Sequence, residues 1–385
     1  MYDYIFAGGG CAGLSLLYRI NQNPALENKK ILIIDQQNAK TNDRTWCAWL
    51  KEPTPFDAIA CKTWNYIRFQ THQLNARLSI APYRYQMIRG IDFYNFVQNS
   101  LKQNPNIVWL DAKITQITNS NKGAKVEANG QIYEAQWVFD SLPPRLQTDN
   151  PKYHYWYQHF KGWFVKTKQP VFEADTATFM DFRIEQKGEA RFVYTLPTSS
   201  TEALVEFTVF GGKVLPQEEY ETALDDYFTQ KLWLQSQDYE IVDTEFGIIP
   251  MTSQPLHSHS GGFVIKIGTA GGQTRASTGF TFANIQRHSK ALYEAIATTG
   301  QPILPKKFDK TWYYDSILLN VMAHKRMEAR DVFEVMFKNH EPARVLAFLD
   351  GETSFIEELK IMASVPMLPF VKGGVSILAK QWKIS

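Results

Sequence analysis

Two carboxylates and two glycine clusters carry the chemistry that the chain displays on first reading. Glu206 stands in the run 203–210, Ala-Leu-Val-Glu-Phe-Thr-Val-Phe. On a strand it shares a face with Leu204, Thr208 and Phe210, while Val205, Phe207 and Val209 take the other face. A carboxyl between two apolar sets is out of place in a core. Burial there would raise its pKa and keep it protonated near neutral pH, which is the state a proton donor needs. The competing placement is an edge strand with the charge in water. Asp181 is the second acid. It either orients Glu206 or pairs with Arg183, two positions on.

The first glycine cluster runs Gly8, Gly9, Gly10, Cys11, Ala12, Gly13 and fits G-x-G-x-x-G. It follows a predicted strand at 2–7, opens a predicted helix, and precedes an apolar run at 31–34 that ends in Asp35. That context is the dinucleotide-binding fingerprint. Gly8 makes the tight turn, Gly10 lets the backbone approach a pyrophosphate, and Gly13 lets the helix pack close to the strand. The helix N-terminus offers N–H groups and positive dipole to the phosphates. Asp35 is placed to accept hydrogen bonds from the adenosine ribose. Cys11 and Ala12 supply the small side chains that such a loop needs, and for Cys11 size explains the choice better than redox chemistry. The second cluster is Gly268, Thr269, Ala270, Gly271, Gly272 after a buried-strand pattern at 262–267. Ser277, Thr278 and Gly279 then cap a helix predicted to run to about 298. Arg44 either reaches a cofactor phosphate or pairs with Asp43.

The elements that must position these residues alternate between two styles. Strand, turn, helix and a second uninterrupted apolar strand at the N-terminus predict a parallel sheet covered on both faces. A helix is predicted at 91–102 and strands at 107–118, 123–128 and 131–139. Pro143 and Pro144 break the pattern. Strands at 177–184, 190–196 and 203–210 predict an antiparallel sheet, and 308–363 reads as mainly helical. The fold class is therefore α/β, with a Rossmann-like dinucleotide domain, an antiparallel-sheet substrate domain and C-terminal helices. The domain reading is 1–60, 84–145 and 245–300 for the nucleotide domain, 61–83 and 146–244 for the substrate domain, and 301–385 for the helical region.

Composition narrows the partners. A net charge of +2 over 385 residues lacks the basic footprint of a nucleic-acid binder. Three cysteines form neither a metal spacing nor a disulfide framework, and the eight histidines show no metal spacing either. The N-terminus lacks the basic region of a signal peptide. No window is long and apolar enough for a transmembrane helix. A cytoplasmic protein is expected, with room for contact at a membrane surface. The 10 Trp, 18 Tyr and 25 Phe suit a large apolar ligand as well as a plain core. Seven of these aromatics fall within 153–164, where they either line a tunnel or form ordinary core.

The early fingerprint, paired with a late strand ending in Gly268-x-Ala270-Gly271-Gly272, resembles flavoproteins of the aromatic-hydroxylase-like class. Further marks narrow this: Arg44-Thr-Trp-Cys-x-Trp49, Gln158-His-Phe-x-Gly-Trp163, Phe179-Met-Asp-Phe182, Phe192-Val-Tyr-x-Leu-Pro197, Leu204-Val-Glu-x-Thr208, Ile249-Pro-Met251 and the stretch from Gly268 to Phe280. Together, in this order, they resemble the lycopene cyclase family, most of all its bacterial β-cyclases. The resemblance implies an enzyme that cyclises lycopene or a related acyclic carotenoid without net redox change. It implies reduced FAD with NAD(P)H as reductant, and a peripheral position at the inner face of a membrane. Glu206 falls on the family's acidic residue, and Gly268, Thr269, Gly271, Gly272, Thr278 and Gly279 on its late flavin segment. Arg89 then either touches the flavin or its phosphates, or makes a surface ion pair. Two departures stand out. Thr269 occupies a position where hydroxylase-like relatives often have Asp. Ala276 stands where a proline is common, which predicts a less rigid loop. Two other readings share the glycine argument: a flavin monooxygenase acting on a polyene or aromatic substrate, and a carotenoid or flavin carrier without catalysis.

Overall fold

The computed structural model describes residues 1–36, 40–305 and 309–382. Among these residues a seven-stranded sheet runs in the order β8 (Ile107–Asp111), β2 (Ile31–Asp35), β1 (Tyr2–Ala7), β11 (Gln131–Asp140), β10 (Gly123–Ala128), β9 (Ile114–Ser120), with β17 (Val264–Lys266) also paired to β11. Strands β8, β2, β1, β11 and β17 are parallel, and β9 to β11 form an antiparallel meander. The uninterrupted apolar runs of β1 and β2 follow from their central position. One face meets α1 (Cys11–Asn21), α2 (Gly90–Leu101) and α4 (Phe282–Thr299), and the other packs against residues of the meander. The helix expected at 91–102 is α2, displaced by one residue.

The second sheet has the order β16 (Tyr239–Thr252), β12 (Tyr155–Thr167), β15 (Glu202–Gly211), β14 (Ala190–Pro197), β13 (Thr176–Asp181), β5 (Tyr66–Gln70), β6 (Asn75–Ser79). It is antiparallel except where β13 runs parallel to β5. Helix α3 (Gln217–Lys231) covers one face, with Tyr220, Leu224 and Phe228 packed among Val205, Phe207 and Val209. A small antiparallel sheet of β3 (Thr45–Leu50), β7 (Arg84–Arg89) and β4 (Lys62–Trp64) contributes to both main cores, through Trp49 and Tyr85 to one and Leu50 and Ile88 to the other.

The remaining face of the second sheet packs on C-terminal helices: α5 (Lys310–Ala323), α6 (Ala329–Asn339), α7 (Pro342–Leu349) and α8 (Phe355–Ser364). Helix α9 (Met367–Trp382) follows, and Pro369 falls in its first turn, where the missing N–H costs little. The break expected at 245 between nucleotide and substrate segments does not occur there. β16 stays in the second sheet to Thr252, because its residues pair with β12 on both sides of one irregularity at Phe164/Val165.

Candidate functional site

The early fingerprint folds as its spacing predicts. Gly8 turns at φ +101°, in the region that favours glycine. A Cβ on Gly13 would sit 2.8 Å from the Gly8 carbonyl oxygen, so glycine there is a condition of close helix–strand packing. A Cβ on Gly10 would meet nothing within 4 Å. The backbone is therefore open at the point where a pyrophosphate would approach. The first turn of α1 has no acidic residue, and no side chain caps it. Its leading N–H groups keep their capacity for an anion. The Asp35 carboxylate accepts from Gly9 N at 2.6 Å and from Lys40 Nζ at 2.9 Å. The thiol of Cys11 is buried, lies 3.9 Å from Ser15 Oγ, and is pushed up to about 12 by burial. That is an inert packing thiol.

The late glycine segment meets the early one. A Cβ on Gly268 would touch the Cβ of Ala12 at 3.0 Å. Gly268, Gly271 and Gly272 form a tight turn, and Gly279 abuts the Gln158 side chain. Buried here, Gln158 Oε1 and Thr278 Oγ1 have no hydrogen-bond partner among the described residues. These orphaned atoms, the open backbone at Gly10 and the free helix N-terminus fit a dinucleotide with a polar ring system. The helix expected from Gly279 starts three residues later, at Phe282.

The loop between these glycines is held more firmly than Ala276 suggests. Asp315 of α5 accepts from Arg275 Nε at 2.9 Å and Nη2 at 2.7 Å, from Ala276 N at 2.9 Å and from Ser277 Oγ at 2.8 Å. A proline at 276 would have no N–H to give, so the alanine exchanges ring stiffness for an anchor on the C-terminal helices.

The late glycine segment borders a cavity of about 430 Å³. Thr269 and Gly279 line it on one side, and Arg44 stands in its wall, paired to Asp43 at 2.7 Å. Trp46, Tyr85, Phe160, Tyr194, Phe280 and Phe282 supply aromatic walls. At its inner wall lie two carboxyls, Glu206 and Glu245. Strand pairing brings them together: Gly162 of β12 stands opposite Glu206 on β15 and opposite Glu245 on β16. Directly paired residues point to the same face. With no side chain at 162, the two glutamates lean toward each other over the middle strand. A Cβ there would lie 3.2 Å from Glu245 Cγ and 3.5 Å from Glu206 Cβ.

The electrostatics of the pair are asymmetric. Burial, and then the charge of Glu245, hold Glu206 well above the ordinary carboxylate range. Its Oε1 accepts from Thr208 Oγ1 at 2.8 Å. Burial also raises Glu245, but Thr45 Oγ1 donates to it at 2.7 Å and the Glu206 carboxyl hydrogen-bonds to it, both of which favour its charged form. The arrangement is two facing carboxyls that resist ionising together, with the shared proton leaning toward Glu206. Nearby Tyr85, Tyr194 and the Cys47 thiol are pushed far up by burial and stay protonated.

Other residues singled out in the sequence lie elsewhere. Asp181 is on the α3 side of the sheet, fully buried, bonded by Arg183 Nη2 at 2.7 Å and by the Tyr227 hydroxyl at 2.9 Å. Of its two readings, the structure shows the pairing with Arg183, and Asp181 has no contact with the cavity. Arg89 makes an exposed pair with Asp92 at 2.6 Å and is not among the residues lining this cavity. The aromatics of 153–164 are divided by strand alternation. Phe160 lines the cavity, while Trp163 packs on Phe228 of α3. Glu245 was not singled out. Its only sequence signal is an acid that immediately precedes the apolar-leaning second half of a strand.

Together the fold and cavity define a flavoprotein-like α/β architecture with a proton-sharing carboxyl pair in an aromatic pocket. Solved structures agree on the fold. The chain is 14% identical to p-nitrophenol 4-monooxygenase PnpA from Pseudomonas putida, with a TM-score of 0.58 and coverage of 97% of this chain and 98% of that one. It is 13% identical to a flavoprotein/dehydrogenase from Cytophaga hutchinsonii, with a TM-score of 0.57 and coverage of 98% and 99%. The chain belongs to the lycopene cyclase protein family, which it matches over residues 3–373. It is similar to the lycopene beta-cyclase of Pseudescherichia vulneris, at 24% identity over 96% of this chain and 95% of that protein.

Proposed function

We propose that this protein cyclises the acyclic ends of lycopene, or of a closely related carotenoid, to β-rings without net redox change, with Glu206 as the proton donor. The observation that carries the proposal is the pair of carboxyls, Glu206 and Glu245, brought together across Gly162 in an aromatic cavity bordered by the late glycine segment. FAD would be held by Gly8, Gly10, Gly13, Asp35 and the late segment from Gly268 to Gly279, with NAD(P)H as the source of its electrons. When bound in reduced form, it supplies negative charge next to a developing cation.

The steps follow from the side chains. Glu206 gives its proton to C2 of the terminal double bond, and positive charge appears at C1. The C5–C6 alkene attacks C1, a C1–C6 bond forms, and the charge moves to C5. Loss of the C6 proton closes the C5–C6 double bond of a β-ring. One proton enters and one leaves, so the pair ends as it began. Protonating an alkene with a carboxylic acid is uphill, and the cavity must stabilise the cation as it forms. The ring faces of Tyr85, Phe160, Tyr194 and Phe280 do so by cation–π attraction, and charged Glu245 by direct electrostatics.

Expression in a lycopene-accumulating host, followed by chromatography of the pigments, tests the reading. Monocyclic or bicyclic β-ring products are expected. Unchanged lycopene from well-expressed, flavin-loaded protein would overturn it. One NAD(P)H and one O₂ consumed per substrate would favour a monooxygenase.

The carboxyl pair makes a pH prediction. Glu206 works as the acid, so activity is full below its raised pKa and is lost as pH climbs through it. Glu245→Gln removes the like charge, the second cause of that elevation. The alkaline limb of the rate profile should therefore move to lower pH. An alkaline limb that does not move would separate Glu245 from the proton chemistry.

A further inference from the structure

Helices α8 and α9 present an apolar surface that nothing in the described structure covers. Phe355, Ile356 and Leu359 on α8 and Met367, Leu368, Val371, Val375 and Leu378 on α9 are each 45% exposed or more. These eight lie within 24 consecutive residues, against nineteen large exposed apolar side chains among all described residues. Scattered single cases need no explanation; a contiguous patch does.

The inner face of α9 is apolar as well. It packs on α5 through Gly373, whose Cβ would lie 3.2 Å from Ile317 Cγ2, and through buried Ile377. A helix that is apolar all round belongs in a core or in lipid. This one is half in a core, so its outer face requires another apolar medium. The lengths fit a single leaflet. The segments Phe355–Ser364 and Met367–Ala379 meet at 119°. At ~1.5 Å per residue each reaches only ~15–20 Å, short of the ~30 Å hydrocarbon core. The charges fit too. Lys360 and Lys372 are exposed at the borders of the apolar stripes, where a long cationic side chain can reach anionic headgroups.

A second cavity, also of about 430 Å³, lies under these helices and is almost wholly apolar. Several of its lining residues, Met367, Val371, Val375 and Leu378, are the exposed residues of the outer surface. The cavity mouth therefore opens within the patch. A protein partner seated there would seal it, whereas acyl chains would feed it. Its inner end reaches Arg275 and Asp315, the anchor of the late glycine loop.

We propose that α8 and α9 lie in one leaflet of a lipid bilayer and that the cavity between them and α5 is a lateral port, admitting a long isoprenoid polyene directly from the acyl chains. The port rests on the cyclase reading; the docking surface does not.

Flotation of the flavin-loaded protein with vesicles of phosphatidylcholine and a minority of phosphatidylglycerol tests the surface. Wild type should float. The double variant Ile356→Glu/Leu368→Glu changes two exposed side chains outside the cavity lining. It should float on the order of tenfold less or worse, keep wild-type melting temperature and flavin content, and still convert detergent-solubilised lycopene. A double variant that floats like wild type, or a wild type that stays behind, overturns the surface. So does light scattering that finds a wild-type dimer split by the variant without vesicle binding, which would make the patch a contact between two copies of this chain. For the port, Gly374→Leu fills the cavity from α9. It should float like wild type yet lose conversion of vesicle-borne lycopene. Undiminished conversion overturns the port. Failure of wild type to cyclise lycopene in either presentation would overturn the cyclase reading instead, and flotation would still decide the surface.

Discussion

Glu206→Gln should yield a folded, flavin-binding protein that forms no ring. The amide matches the carboxyl in shape and can keep the contact from Thr208. It can also donate to Glu245, so the pair stays hydrogen-bonded and the strands stay in register. What it lacks is an acidic proton. General acid catalysis contributes ~10²–10⁴-fold in ordinary cases. The loss here should lie at or beyond the upper end, because water is too weak an acid to protonate an alkene in the acid's place. Turnover in deuterated water supplies an independent readout: wild type should place one deuterium per ring at C2. Ring product without deuterium, or a variant within about tenfold of wild type, would remove Glu206 from the role of donor.

The second large effect is expected from Gly10→Val. The position has extended backbone at φ −87°, ψ −174°, which valine adopts without strain, and its Cβ would point into open space. The apo protein should therefore melt within a degree or two of wild type. Flavin is a different matter, because the new side chain fills the space through which a pyrophosphate must come to reach the α1 N–H groups. Losing two such charge-assisted contacts at about 1.5–3 kcal/mol each weakens binding by roughly 10²–10⁴-fold, enough to yield colourless protein. Gly13→Val is the contrast: its side chain would strike the Gly8 carbonyl, so it should lose stability even without ligand. A yellow, fully loaded Gly10→Val protein would overturn the assignment of the fingerprint to the cofactor.

How much of this was legible in the residues differs by element. The fingerprint could be read because its chemistry is local: each glycine answers a demand made within the same turn or by the adjoining strand. Alternation with β-branched and aromatic neighbours put Glu206 on a strand but left an edge placement open, and the family resemblance, not the pattern, favoured a buried acid. Asp181 shows the limit of that argument. Alternation assigns a residue to a face, but not to the face that holds the cavity, and α3 covers the side on which Asp181 lies. The C-terminal helices were evident from their periodicity, whereas the uncovered outer face of α9 appears only once α5 is seen to occupy the inner one.

Glu245 is the clearest case. In Val-Asp-Thr-Glu-Phe-Gly, residues 242–247, three polar side chains stand in a row and none advertises burial. Its role depends on the register of β16 against β12, and a slip of one residue would turn it to the opposite face. The glycine turns, the parallel strands they join and the strand that carries Glu206 could be read from the residues, because short-range sterics and side-chain alternation set them. That Gly162 stands between two glutamates of different strands and brings their carboxyls together follows from the packed sheet alone. Strand order and register are set by the packing of whole sheets, and no local window of residues contains that information.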